Sequence, residues 1–232
     1  MTDVQQYYSR DVISNQDGLH DRLSEVVQRH LSSPYLAPIS DHNYRAFEEA
    51  TTVSQRHQKP LILDSGCGTG DSSRKLASSF PDHLILGIDK SADRLGRRRD
   101  GLEPENLLLL RADLVDFYRL AADAGWQLAR HYISYPNPWP KAAHFQRRWH
   151  GSPVFPSTLK LTGKLELRTN WRIYAQEFSA ALTLAGQASS IVKYDPQGDY
   201  LSLFEKKYAE SGQSLWQVTA LLSSVDPVPG KV

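Results

Sequence analysis

Short apolar runs alternate with stretches of helical period along most of this chain. Residues 61–63, 84–88 and 107–110 are almost wholly Leu and Ile. A strand covered on both faces reads as a continuous run of this kind rather than as an alternation. Between them, 72–80 carries Leu76, Ala77 and Phe80 on one side, and 91–99 opens on Ser91, a residue suited to cap a helix. The pattern continues with a helix over 114–122, a strand region over 126–135, a short helix over 153–161 and a fifth strand over 164–168. A helix from 171 to 184 and a sixth strand over 188–193 follow. Residues 195–214 read as a turn-rich insertion, and 216–222 as a last strand antiparallel to the sixth. Strands alternating with helices predict an α/β fold: a doubly wound, Rossmann-like, seven-stranded and mostly parallel sheet with an antiparallel last strand.

Ahead of the first strand, Leu19, Leu23, Val26, Val27 and Leu31 fall at helical spacing, and 43–53 reads as a second helix. The expected organisation is an N-terminal helical extension over 1–58, one domain over 59–225 and a tail over 226–232. The length of 232 residues suits one domain with additions.

Composition narrows this little. Lys plus Arg (27) nearly balances Asp plus Glu (26), so a polyanion partner has to be held by a local patch rather than by net charge. Cys67 is the only cysteine, which excludes an intrachain disulfide and a cysteine metal cluster. His20, His30, His42 and His57 lack metal-ligand spacing and are expected on the surface. No apolar run approaches the ~20 residues that span a bilayer, and no signal-type segment is evident, so a cytoplasmic protein without a membrane partner is expected. Oligomeric state is not legible.

Candidate chemistry begins at the first strand. Asp64 is followed by Gly66, Gly68 and Gly70 at alternate positions. Such glycines tolerate φ > 0 and let backbone approach a ligand. Asp89 ends the second strand 19 residues after Gly70, where an acceptor-only carboxylate can take ribose hydroxyls. Asp113, past the third strand, suits either an adenine amino group or the cap of the next helix. NAD shares the ribose acid, so loop spacing has to decide. G-x-G-x-G preceded by an acid resembles motif I of the class I S-adenosylmethionine (SAM) methyltransferases, and not the G-x-G-x-x-G of dinucleotide folds.

The most unusual stretch is 135–150, with three prolines, two tryptophans, three Lys or Arg and two histidines in 16 residues. Prolines deny a ladder its donors, so 136–140 should be a stiff loop at the carboxyl edge of the sheet. Aromatics interleaved with cations suit base stacking and phosphate neutralisation. The run P-N-P-W-P-K-A-A-H-F-Q-R-R, together with L-D-S-G-C-G-T-G, G-I-D, T-N-W and S-L-F-E, resembles the bacterial tRNA (guanine-N7)-methyltransferases from about 61 to 222. That resemblance implies a class I SAM methyltransferase fold, a SAM cofactor and a tRNA guanine substrate. It implies that Asp64, Gly66, Gly68, Gly70, Asp89 and Asp113 hold SAM. Asn137 falls at the junction of SAM and base as the positioning residue. Lys141, Asn170, Ser202 and Glu205 fall at substrate contacts, and His144, Arg147 and Arg148 at phosphates. Asn137, Asn170 and Ser202 stand where the family carries Asp, Asp and Thr. Two other readings remain open at this point: transfer to an adenine or amide amino group or another purine-like molecule, and a non-catalytic RNA- or protein-binding relative.

Overall fold

The apolar runs become strands of one sheet, and the computed structural model describes residues 8–97 and 102–223. Helices α1 (Leu23–Ser32) and α2 (Asp41–His57) come first. They are followed by β1 (Leu61–Ser65), α3 (Asp71–Ser79), β2 (Leu84–Asp89), α4 (Ala92–Leu95), β3 (Leu107–Arg111), α5 (Leu114–Asp123) and β4 (Leu128–Ser134). Two 3-10 turns (Ala142–Arg147, Trp149–Gly151) lead into α6 (Phe155–Lys160), β5 (Gly163–Thr169), α7 (Arg172–Leu184), β6 (Ser189–Tyr194), α8 (Leu203–Glu210) and β7 (Leu215–Leu222).

The sheet order is β3-β2-β1-β4-β5-β7-β6. β1 to β5 run parallel, while β7 pairs antiparallel with both β5 and β6. Every residue of β1 and β2 is buried, as their unbroken apolar sequences require of strands covered on both faces. Strand order reverses between β1 and β4, and in open sheets of this kind ligands bind in the crevice at that switch point.

The N-terminal helices are built into the body. Leu23, Val26 and Val27 of α1 join the core formed by α7 and β5, and Ala46 and Ala50 of α2 join the one formed by α5, β1 and β2. α2 starts at Ser40, whose side chain accepts from the Asn43 amide, and stops at Gln58 in the left-handed region.

Two expectations are corrected. The helix over 91–99 is only the four residues of α4, ended by Gly96; Arg98 and Arg99 lie outside the described residues, as does the tail over 226–232. The insertion over 195–214 contains α8, capped by the Ser202 hydroxyl accepting from the Glu205 amide. S-x-x-E ahead of a helix is a capping-box sequence, so the start of α8 is encoded locally. Here the Glu205 carboxylate accepts from the Leu201 amide at 2.6 Å rather than from the cap residue itself.

Candidate active site

β1 ends in Asp64 and Ser65, and the chain then turns through Gly66, Gly68 and Gly70 at φ 75°, 61° and 79°. A Cβ built on Gly66 or Gly68 meets no protein atom. The glycines are therefore demanded by backbone conformation, and the space above them is open, which makes the loop a cradle. Asp64 is buried beneath it and accepts from Ser72 Oγ (2.5 Å) and Ser73 Oγ (2.7 Å) of α3. Burial raises its carboxyl above the usual range, against the pull of the two serine donors. Ser73 reaches Asp64 because Gly87 sits opposite on β2, where any Cβ would collide with the Ser73 hydroxyl.

Asp89 closes β2 at 2% exposure. Its carboxylate accepts from the Gly68 amide (2.9 Å) and the Ser91 amide (2.8 Å), and pairs with Arg94 (3.0 Å). It both shapes the glycine loop and sits at the strand tip. Asp113 caps α5 by accepting from the Val115 amide at 2.8 Å, so its helix-cap reading holds in the structure. Asn43 of α2 buttresses it, accepting from the Asp113 amide at 2.9 Å and donating to Asp116 at 2.6 Å.

A cleft of about 340 Å³ lies over the switch point, lined by Gly66 to Thr69 on one side and by Ser202, Phe204 and Lys207 on the other. Ser134, at the end of β4, forms part of its floor. The glycine loop and the N-terminal turn of α8 therefore face one another. A second hollow of about 490 Å³ runs past Asn43, Lys90, Arg111 and Asp113 beyond β2 and β3.

From β4 the chain enters the proline loop through two residues at positive φ, Tyr135 (51°) and Trp139 (45°). Lys141, Asn137 and Arg147 are exposed, and His144 is half-buried. The Arg147 guanidinium lies 4.7 Å from the Trp139 ring centroid, and His144 packs edge-on to the same ring. Asn137 Oδ1 accepts weakly from the Trp139 amide, at 3.4 Å. Asn137, Lys141, His144 and Arg147 thus share one accessible loop.

Two predicted contacts are corrected. Arg148 is fully buried. It pairs with Glu177 of α7 at 2.5 Å, donates to the Trp139 carbonyl at 3.0 Å and stacks over Trp171. A cation enclosed in this way is not available to a phosphate. Glu205 is likewise fully buried: it accepts from Arg168 at 2.9 Å and Tyr135 Oη at 3.0 Å, and from Tyr194 Oη. It anchors α8 and is not a free carboxylate for a base. Asn170 donates to Gln213 Oε1 at 2.7 Å, which turns its amide toward the segment after α8. Ser202 serves as a helix cap.

Sequence reasoning missed Glu177, because the partners that make it a hub, Arg148 and His150, lie 29 and 27 residues away along the chain. It also missed His131 on β4, which is buried against Ser65 Oγ (2.8 Å) and Tyr118 Oη (3.3 Å). His20, expected on the surface, stacks on Phe145 with centroids 4.3 Å apart.

Comparison with known proteins fits this geometry. The methyltransferase family Methyltransf_4 matches residues 58–218, from just before β1 into β7. The chain belongs to this family. The matched span holds every loop, strand tip and cap described above except the N-terminal buttresses of the methyltransferase. A tRNA (guanine-N(7)-)-methyltransferase of Methylobacillus flagellatus is 28% identical over 211 residues, 85% of this chain and 86% of its own. One from Syntrophotalea carbinolica is 30% identical over 168 residues, 68% of this chain and 72% of its own. Among solved structures, an antibiotic-related methyltransferase aligns with a TM-score of 0.57 at 14% identity, over 81% of this chain and 96% of its own. A 16S rRNA (adenine(1408)-N(1))-methyltransferase from Catenulisporales acidiphilia, determined with its cosubstrate SAM, aligns at 0.54 and 14% identity, over 84% and 96%. These establish the class I methyltransferase fold, as the sheet order anticipated.

Proposed function

We propose that this methyltransferase uses SAM to methylate guanine N7 in tRNA, at the variable loop, and so works in the cytoplasm where tRNA is processed. One observation carries the reading: a single cleft is walled on one side by the glycine cradle and on the other by α8, with the cation-bearing proline loop at the end of the neighbouring strand β4. Donor and acceptor sides of a group transfer have to meet in one such space. The relatives named as tRNA (guanine-N(7)-)-methyltransferases supply the substrate class.

The residues present fit SAM. The open space over Gly66 and Gly68 admits its amino-acid part, Asp89 would take ribose hydroxyls in place of the Arg94 guanidinium that pairs with it here, and Asp113 stands past β3 for the adenine. When bound, SAM supplies an electrophilic methyl group on a sulfonium. Guanine N7 carries an in-plane lone pair and no proton, so the N7–C bond forms as the S–C bond breaks and no general base is needed. The chain has to bring the base in line and exclude water. Asn137 is assigned to positioning at the junction, with Lys141, His144 and Arg147 on the phosphates and Phe204 at the cleft wall as a stacking surface. Arg148 and Glu205 hold these parts in place from below.

The test is methyl transfer from labelled SAM to tRNA lacking 7-methylguanosine, followed by nucleoside mass spectrometry. A new 7-methylguanosine peak is expected. Label in another nucleoside, or none despite SAM binding, would overturn the substrate assignment.

A further inference from the structure

Residues 9–20 lie outside the span matched by the family, yet they touch four separate parts of the substrate side. The Ser9 amide donates to Ser211 Oγ at 2.8 Å, and the Ser9 carbonyl accepts from Gln213 Nε2 at 2.9 Å. Gln213 in turn receives the Asn170 amide. Ser14 Oγ donates to the Pro140 carbonyl at 2.7 Å, and Asn15 Oδ1 accepts from the Ala142 amide at 3.0 Å, one on each side of Lys141. Gln16 reaches furthest in. Its Nε2 donates to Glu177 at 2.9 Å and its Oε1 accepts from Arg148 at 2.5 Å. The His20 amide also donates to Glu177, at 2.9 Å.

Glu177 is where these lines converge. It is fully buried, and besides Gln16 and His20 it accepts from Arg148 and from His150 at 2.9 Å. Arg148, facing it, holds the carbonyl of Trp139, whose positive φ turns the loop. A polypeptide segment that satisfies backbone groups of a proline-stiffened loop fixes that loop without covering it, because Asn137, Lys141 and Arg147 stay exposed.

We infer that residues 9–20 form a strap that orients the proline loop and the Asn170–Gln213 tip for catalysis, with Gln16 and Glu177 as positioning residues acting through Arg148. The strap touches neither the glycine cradle nor Asp89 among the described contacts, so its loss should misplace the base and leave SAM binding intact. The readout through methyl transfer rests on the function proposed above, whereas the readout through loop protection does not.

The experiment compares wild type with Gln16→Ala and Glu177→Gln. Gln16→Ala removes the strap's innermost contact at a half-buried position, and Glu177→Gln keeps the shape while removing the charge. Three quantities are measured: hydrogen exchange of peptides covering 136–147, SAM affinity, and kcat and KM for tRNA. Exchange in 136–147 is expected to quicken while peptides covering 61–89 stay as in wild type. SAM affinity should remain within twofold, and kcat should fall roughly ten- to a hundredfold, the scale of loss from misplacing a reacting partner by about an ångström. KM should move less, because the phosphate-facing cations remain. Unchanged exchange and unchanged kcat in both variants would overturn the strap. So would a fall in SAM affinity that tracks a fall in Tm, since that is the mark of a global structural role. If wild type itself leaves tRNA unmethylated, the substrate reading fails, and the exchange data alone decide the strap.

Discussion

The two walls of the cleft are built by different physics. The wall we assign to the cofactor is local: Asp64, the glycine loop, Ser72, Ser73 and Asp89 all lie within 26 residues and are joined by short hydrogen bonds across one β-α-β unit. The side we assign to the substrate, α8 and the proline loop, is held in place from afar. Arg148 meets Glu177 and Gln16, and Arg168 meets Glu205, over sequence separations of 29, 132 and 37 residues. Each wall also borrows a brace from the N-terminal region, Asn43 at Asp113 on one side and Gln16 at Glu177 on the other. A local wall can be shaped by its own turn chemistry. A distant one needs buried charge pairs to fix where its pieces meet, and such pairs specify geometry more than they stabilise it.

The largest test of that contrast is Glu177→Ala. It strands a buried guanidinium, and breaking one side of a buried pair costs about 3–5 kcal/mol. For a chain of this size that corresponds to a fall in Tm of about 6–20 °C, read by thermal denaturation. Survival of wild-type Tm would show that the substrate wall does not depend on its buried pair. At the other wall, Asp89→Ala removes a carboxylate that holds the Gly68 and Ser91 amides. Losing a charged hydrogen-bonding group of this kind costs about 1.5–3 kcal/mol, so SAM affinity should fall roughly ten- to a hundredfold. Isothermal titration checks this, with tRNA affinity as the control. Equal losses of SAM and tRNA binding would merge the two walls into one unit.

How much of each wall could be read from sequence follows from the same difference. The glycine spacing, the acid at 89 and the N-cap at Ser91 were legible because each is a short-range rule about φ, strand tips and orphan amides. Arg147 and Arg148 were indistinguishable in the sequence, and both read as phosphate ligands. Their neighbours separate them. Residues 142–147 form a 3-10 turn that leaves Arg147 outside over Trp139, while Arg148 turns inward between Trp171 and Glu177. Nothing local encodes that, because its partner lies 29 residues on. Glu205 was misassigned for the same reason: its partners Arg168, Tyr135 and Tyr194 come from three strand ends.

Acid separates the walls in a second way. His131, beside Ser65 at the root of the cofactor wall, is pushed down to about 3 by burial. Its folded-state value lies below the unfolded one near 6.5, so the unfolded chain binds the extra proton between those limits. The associated stability is therefore present above pH 6.5 and is lost as pH falls toward 3, by about 1.4 kcal/mol per unit. Burial depresses His150 in the same sense, partly opposed by Glu177. The Glu177 carboxyl is lowered to about 2: its burial is outweighed by His150 and Arg148. Its contribution is thus kept above the ordinary carboxylate range near 4.3 and is lost only as pH drops from there toward 2. Unfolding free energies from urea titrations should fall by about 2 kcal/mol between pH 7 and 5 through His131 alone. A flat profile between those pH values would remove the buried-histidine account.

The smallest expected effect is also the sharpest, because it compares adjacent residues. Arg147→Ala deletes an exposed cation poised over Trp139, and each lost phosphate contact removes about one released counterion. The plot of log affinity for tRNA against log salt should therefore become shallower by about 1, with affinity itself falling several-fold near 0.1 M salt and Tm unchanged. Arg148→Lys keeps the charge but gives up the forked contacts to Glu177, Gln16 and Trp139. It should lower Tm and leave the salt slope alone. Filter binding across a salt series, beside thermal melts of both proteins, measures the pair. If Arg148→Lys flattened the slope as Arg147→Ala does, the buried arginine would have to reach solvent when RNA binds, and the division between a contacting and a supporting arginine would fail.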